Sequence, residues 1–451
     1  MAPRTFPDGF LWGTATSAHQ VEGQNTGNQW WDWEQQGHIW RGDTSGDACG
    51  WWRDATPDLD RATALGQNAH RLSIEWSRLE PHEGVFDDDA LARYRELLQA
   101  LHARGLTPMI TLHHFTHPRW LEQQGGWLNP RTIEYFARFT DYAVRALGDL
   151  CHLWCTINEP LIYAGMSYAS PRWPPGVRRP LTARRVVAHM LRGHALAAHT
   201  IHRISERHQV GIVHNFHLFT PATAAPQDIG AAMLYDYLNN AALLLALRTG
   251  RIPPPFERRV REVPHLRQSC DFFGLNYYTR SHVALVSRTP QWVFGHRFTP
   301  ADVDQSDIGG EGKAYGEIYP RGLYRALHHV ARLGLPIYIT ETGLPDADDR
   351  QRPRYILDHL GQVHHAIQDG VDVRGVFLWS LLDNFEWADG WGLRFGLYAF
   401  NERTGERRLR PSGALYAIIA RANALPGRGN NTMDDTNIIE DQQQLPEGFV
   451  A

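Results

Sequence analysis

Glu159 stands in the run Thr156-Ile157-Asn158-Glu159-Pro160, and Glu341 in Ile339-Thr340-Glu341-Thr342-Gly343. In each, an apolar, β-branched stretch gives way to a breaker, the pattern of a buried strand reaching its C-terminal end. Two carboxyl groups offered from two strand ends of one barrel can flank a single bond. One can hold a proton while the other stays ionised, which is the minimum equipment for cleaving a glycoside. Position matters because parallel barrels carry their chemistry on the C-terminal rim.

The elements that must place these two groups can be read along the chain. Eight apolar runs read as strands, at 10–16, 69–76, 107–114, 152–159, 210–215, 272–278, 336–342 and 373–380. Helical periodicity separates most of them, over 87–104, 131–147, 182–207, 320–333 and 352–368. Asp87-Asp88-Asp89 is an acidic helix start, and Gly105, Gly148, Gly334 and Gly370 follow presumed last turns. Such alternation predicts an α/β fold, a single closed parallel (β/α)8 barrel with elaborated loops after its strands. No GxGxxG or P-loop motif supports an open nucleotide-binding sheet. The barrel is expected over residues 1–426, and the polar, aperiodic stretch 427–451 reads as a flexible tail.

Strand alternation then predicts which polar groups share a face. Arg71, Ser73 and Glu75 are in phase, as are Asn276 and Tyr278, with Tyr277 opposed. His114 is in phase with Ile110 and Leu112, and His113 is opposed. Polar residues on strands buried on both sides imply a polar pocket inside the barrel mouth.

Composition narrows the partners. The chain has 451 residues, 45 basic and 49 acidic side chains, and a net charge of −4, with no basic stripe for a phosphate backbone. No apolar run approaches a membrane span, and the start lacks the apolar core of a secretory signal, so a cytoplasmic location is expected. The scattered Cys49, Cys151, Cys155 and Cys270 read as reduced thiols. Sixteen tryptophans are many, and those at turns among Asn, Gln, Glu and His suit a sugar site, which needs flat faces and hydroxyl partners.

The chain resembles the glycoside hydrolase family 1 enzymes, the β-glucosidase family, over about residues 5 to 423. The resemblance rests on six motifs in order: Phe6-Pro7-Asp8-Gly9-Phe10-Leu11-Trp12-Gly13-Thr14 with Gln20; Gly126-Trp127-Leu128-Asn129; Thr156-Ile157-Asn158-Glu159-Pro160; Gly274-Leu275-Asn276-Tyr277-Tyr278; Ile339-Thr340-Glu341; and Leu378-Trp379-Ser380 through Glu386-Trp387. It implies that Glu341 is the nucleophile and Glu159 the general acid/base, about 5–5.5 Å apart as retention requires. Arg71 and Tyr278 would support the charged Glu341, and Glu159 would sit in a drier place. Gln20, His114, Asn158, Asn276, Trp379, Glu386 and Trp387 would hold the terminal sugar, with Asn158 on its 2-hydroxyl. Glu386 would repel a phosphate, so the resemblance points to unphosphorylated β-D-glucosides and short oligosaccharides, including those from cellulose. No metal, cofactor or nucleic-acid partner is implied, and a homo-oligomer stays open.

Three positions depart from the family pattern: Thr342 replaces Asn, Phe115 replaces Trp, and Glu75 replaces Ser. Glu75 is read as structural, with a core arginine as its expected partner. The alternatives are a metal-dependent barrel hydrolase built on His113, His114 and His117, and a non-catalytic sugar-binding barrel. The opposed phases of His113 and His114 disfavour the first, and the presence of both glutamates disfavours the second.

Overall fold

A computed structural model describes residues 4–285, 295–310 and 312–427. Eight strands close a barrel: β1 (Leu11–Ala15), β2 (Ala69–Ser73), β3 (Thr107–His113), β4 (Leu153–Asn158), β5 (Gln209–Asn215), β6 (Phe272–Asn276), β7 (Ile337–Thr342) and β8 (Val373–Leu378). All neighbouring pairs are parallel, and β8 pairs with β1 to complete the ring. All eight predicted runs are strands. Several end earlier than expected, so Glu75, Glu159, Tyr278 and Trp379 lie just past their strands.

A helix follows each strand: α1 (Thr56–Ala64), α2 (Asp88–His102), α3 (Thr132–Leu147), α4 (Pro180–Ile204), α5 (Ala242–Thr249), α6 (Pro320–Ala331), α7 (Arg352–Gln368) and α8 (Pro411–Ala422). Periodicity marks five of them. The exceptions, α1, α5 and α8, are short or carry weak contrast between their faces. In α3 the residues Phe136, Phe139, Thr140, Ala143, Val144 and Leu147 form one buried stripe at helical spacing. Asp87 caps α2 by accepting from the Ala90 N–H at 2.9 Å, as its acidic start predicts. Gly148 departs from the expected left-handed cap. Its φ is −71°, and it is small because a Cβ would meet His208 Nε2 at 2.8 Å.

The two faces of the barrel carry different cores. Outward residues such as Leu72, Ile110, Leu112, Trp154, Ile212 and Ile339 pack under the helices. Inward ones, among them Ala69, Met109, Cys155, Val213, Phe272 and Phe377, fill the barrel itself. All four cysteines are free thiols. Among the described residues no helix is long and apolar enough to cross a membrane. The stretch 428–451, read as part of a flexible tail, lies outside the described residues.

Strict alternation fails at the rim, and the failure aims the polar residues. In β3, Thr111 faces inward and accepts from Arg71 Nε at 3.1 Å, while Leu112 packs outward. His113 also turns outward, accepting from Trp127 Nε1 at 2.9 Å. His114 is therefore brought back inside, although it shares the parity of the outward Ile110 and Leu112. Register shifts in β4 between Cys155 and Asn158, and in β7 between Ile339 and Thr342, do the same for Asn158 and Glu341. A bulge adds one residue to a strand and re-aims the side chains beyond it.

Candidate active site

Seven strand ends converge on one buried polar cluster. The Arg71 guanidinium, fully buried on β2, spends its donors on three neighbours. Nη1 donates to Glu341 Oε1 at 2.5 Å and to the Thr340 carbonyl at 3.1 Å. Nη2 donates to Asn158 Oδ1 at 2.8 Å, and Nε reaches Thr111. A buried ion pair is tolerable only when the remaining donors are satisfied, and here they are. The other oxygen of Glu341, Oε2, accepts from Tyr278 Oη at 2.7 Å. Burial and then the Glu341 charge push the Tyr278 phenol well above its ordinary value, so it remains a donor.

Glu159 caps the short helix Pro160–Ala164 with φ 49° and ψ 60°, a left-handed conformation that few non-glycine residues adopt. That backbone turn lets its carboxyl group enter the same cluster. Asn276 Nδ2 donates to Glu159 Oε1 at 2.6 Å and to Asn158 Oδ1 at 3.2 Å, while its Oδ1 accepts from Thr340 Oγ1 at 2.7 Å. One amide side chain thus spans from Glu159 to the residue preceding Glu341. Burial first, and then the Glu341 charge, push the Glu159 carboxyl up to about 8, against the pull of hydrogen bonds from Asn276 and Asn215. Glu159 thus lies where burial favours its protonated form, while Glu341 accepts from two donors, Arg71 and Tyr278.

The other predicted residues line the same cavity. His114 Nε2 lies 3.3 Å from Asn158 Nδ2 and 4.0 Å from Glu341 Oε1. Burial and then the Arg71 charge hold His114 well below its ordinary value, as a neutral imidazole. Its ring stacks near Trp379 at 5.9 Å and Trp387 at 6.2 Å. Trp379 Nε1 donates to Glu386 Oε1 at 2.7 Å. Burial pushes the Glu386 carboxyl up to about 8 against that hydrogen bond, with Asp389 and Glu341 adding to the rise. Gln20 is more committed than expected: its Nε2 donates to Asn384 Oδ1 and the Phe385 carbonyl, and its Oε1 accepts from Ser17. Only a lone pair of Oε1 is left to meet a hydroxyl.

The three departures resolve in different ways. Thr342 turns outward and pairs with Tyr355 Oη at 2.8 Å, away from Glu341. Phe115, at φ 68°, packs its ring on Trp173 and Trp387 as an apolar wall. Glu75 is structural, but its partner is not an arginine. It accepts from Asn25 Nδ2 at 2.9 Å, Thr116 Oγ1 at 2.8 Å and Ser77 Oγ at 2.7 Å, which ties the short helix it caps to the segments of Asn25 and Thr116. Glu75→Ala should therefore cost about 1–3 kcal/mol of stability, read from urea unfolding, because it strands buried donors. An unchanged midpoint would contradict this role.

The histidine trio does not converge. His113 faces Trp127, His117 pairs with Glu122 at 2.7 Å, and His114 lies in the pocket. Tyr168 and Trp173, in the segment after β4, are buried, Tyr168 against Tyr163 and Trp173 against Trp30, Phe115 and Trp387. Periodicity missed two residues. His19 stacks on Trp387 at 5.8 Å and pairs with Glu34 at 2.7 Å. Tyr315 stands at the mouth beside Tyr278. The signal for His19 was its place next to Gln20, and for Tyr315 its aromatic ring within a glycine-rich loop.

Comparison with known proteins agrees with this geometry. Beta-glucosidase A of Thermotoga maritima is 32% identical over 453 residues, covering 94% of this chain and all of its own length. A beta-galactosidase of Pyrococcus woesei is 31% identical over 490 residues, covering 89% of this chain and 94% of its own. Among solved structures, the beta-glycosidase from Pyrococcus horikoshii superposes with a TM-score of 0.87 at 40% identity, covering 94% of this chain and 97% of its own. The Thermotoga maritima beta-glucosidase in complex with glucoimidazole gives 0.86 at 32% identity, covering 94% and 100%. Residues 2–425 match the profile of Glycosyl hydrolase family 1, and the closed barrel with its paired glutamates agrees, so the chain belongs to that family and is a glycoside hydrolase.

Proposed function

We propose that this enzyme is a retaining β-glycosidase that removes terminal, non-reducing, unphosphorylated β-D-glucosyl residues, with β-galactosyl and β-fucosyl groups as secondary substrates. The observation that carries the reading is the bridge Glu159–Asn276–Thr340 beside Glu341, with Glu341 held by Arg71 and Tyr278. The two carboxyl groups share one hydrogen-bonded cluster, linked through Asn276, Asn158 and Arg71, which supports direct attack over a water placed between them.

In this mechanism Glu341 attacks the anomeric carbon while Glu159 gives its proton to the departing oxygen. The glycosyl ester is then hydrolysed by a water whose proton goes to the Glu159 carboxylate. Asn158 has one amide hydrogen beyond its bond to His114, which suits the sugar 2-hydroxyl, a contact that strengthens as charge develops on the ring. At the far edge the Glu386 carboxyl, hydrogen-bonded by Trp379, stands where a phosphate would need a cation, which supports a neutral hydroxyl there. The relatives named beta-glucosidase and beta-galactosidase support the same sugar class.

The test is proton NMR of the first product from an aryl β-D-glucoside. The β-anomer of glucose should form first and mutarotate later. Formation of the α-anomer first would overturn retention, and no turnover across β-glucosides, β-galactosides and β-fucosides would overturn the substrate class.

A further inference from the structure

We propose that the buried pair His19–Glu34 is the positioning device for Glu386: it fixes the turn that presents that carboxyl group to the far edge of the terminal sugar. The inference rests on the proposed function, which puts a glucosyl ring in this pocket, and it concerns two residues that touch no part of the substrate.

The pair joins separate segments of the loop after β1. His19 lies in the short helix Ala18–Val21 and Glu34 in the helix Gln29–Gln35. Both side chains are completely shielded from solvent. Asn28 settles how the imidazole is used. Its Oδ1 accepts from Trp31 N at 2.9 Å, so its amide nitrogen points at His19 Nδ1, 3.1 Å away. Nδ1 is therefore an acceptor, and Nε2 carries the hydrogen that goes to Glu34 Oε1 at 2.7 Å. Glu34 Oε2 accepts from Ser45 N at 2.7 Å and from Ser45 Oγ at 3.0 Å. Every polar atom of the pair has a matched partner, and bonds at both ring nitrogens fix the imidazole plane.

That plane meets both neighbours of Glu386. It lies 5.8 Å from the Trp387 ring at 11° and 6.0 Å from the Phe385 ring at 75°. Trp387 has φ 53°, a left-handed conformation that a bulky aromatic residue keeps only where its surroundings over-determine it. Trp30 and Phe115 pack on Trp387 as well, at 4.7 Å and 5.3 Å. Among the described residues, only the His19 ring contacts both Trp387 and Phe385. The next residue in the chain, Gln20, donates to the Phe385 carbonyl at 2.8 Å. The segment on either side of Glu386 is thus gripped from the loop after β1, and a small shift of that grip would move the carboxyl group. Hydrogen bonds to a substrate depend on such placement, so the pair acts on the sugar through Glu386.

The experiment compares kcat/KM of the full-length enzyme, His19→Gln and Glu34→Gln on phenyl β-D-glucoside and its 4-deoxy and 6-deoxy analogues. The 4- and 6-hydroxyls lie opposite the anomeric carbon, at the edge Glu386 would meet. His19→Gln removes the ring. Glu34→Gln keeps the shape of the pair but sets an amide N–H against either His19 Nε2 or the Ser45 donors, which loosens the imidazole. Each variant should lose about five- to thirtyfold on the glucoside, the scale of one hydrogen bond to a carboxyl group. The loss should shrink to less than about threefold on at least one deoxy substrate. It should fall below about twofold in a Glu386→Ala background, where the pair has nothing left to position. Circular dichroism accompanies each variant, and if His19→Gln does not fold, the isosteric Glu34→Gln decides. Equal losses on all three substrates, or losses that multiply in full with Glu386→Ala, would make the pair merely structural and overturn the proposal. Unchanged glucoside rates in folded variants would also overturn it. If the unaltered enzyme leaves phenyl β-D-glucoside uncleaved, the proposed function falls first and the positioning role with it.

Discussion

Glu341→Ala should lower turnover of every β-glucoside by several orders of magnitude, since it removes the atom that attacks carbon. Added azide or formate should partly restore activity on an activated aryl glucoside and yield an α-configured product. The small anion would occupy the space of the lost carboxylate and react once, with inversion. The variant also leaves the Arg71 guanidinium buried without its anionic partner, and breaking such a pair costs roughly 3–5 kcal/mol. Circular dichroism therefore has to accompany the kinetics, although anion rescue itself shows that the pocket still forms. A folded variant with wild-type rates, or a rescued product of retained configuration, would remove Glu341 from the nucleophile's role.

Glu159→Gln should have an effect that depends on the leaving group. General acid catalysis contributes roughly 10²–10⁴-fold, so alkyl glucosides and cellobiose should lose about that much in kcat/KM. Dinitrophenyl glucosides leave without a proton and should react much faster than natural substrates. The pH profile provides a second reading. Burial and the Glu341 charge place the Glu159 carboxyl at about 8, so the acid form is present below that pH and is lost as pH rises through it. The unaltered enzyme should show a basic limb near that value on poor leaving groups, and the variant should lack it. The same shift acts on stability. The folded state binds this proton more tightly than the unfolded chain, whose ordinary value is 4.5, so Glu159's contribution is present below that pH and lost as pH climbs through about 8. Glu386 adds a second loss of the same sign. Equal rate losses across leaving groups would show Glu159 to be structural.

The barrel was legible because burial on both faces makes each strand an apolar run, and the helices between them carry one apolar stripe each. Helices α1, α5 and α8 were not legible, because short segments without strong contrast between faces do not stand out from loops. The glutamates were legible as strand-end carboxylates, and the surrounding motifs indicated the chemistry. Side-chain direction at the rim was another matter. Period-two reasoning worked for Asn276 and Tyr278, which enter the pocket together while Tyr277 turns out to the Tyr319 carbonyl. It failed for His114, which follows two successive outward residues, Leu112 and His113, and such a break leaves no trace in a pattern of apolar and polar letters.

Residue order alone determined the architecture and the two acidic groups, since both depend on local burial and on breakers that lie next to them. Three-dimensional closure decided the rest. Glu75 found amide and hydroxyl donors where a cation was expected, Gln20 was already bound on three sides, and Tyr315 came to rest beside Tyr278 from a distant loop. Such pairings join positions far apart in the chain, and which of them meet is fixed by how eight strand ends face one another around a closed ring.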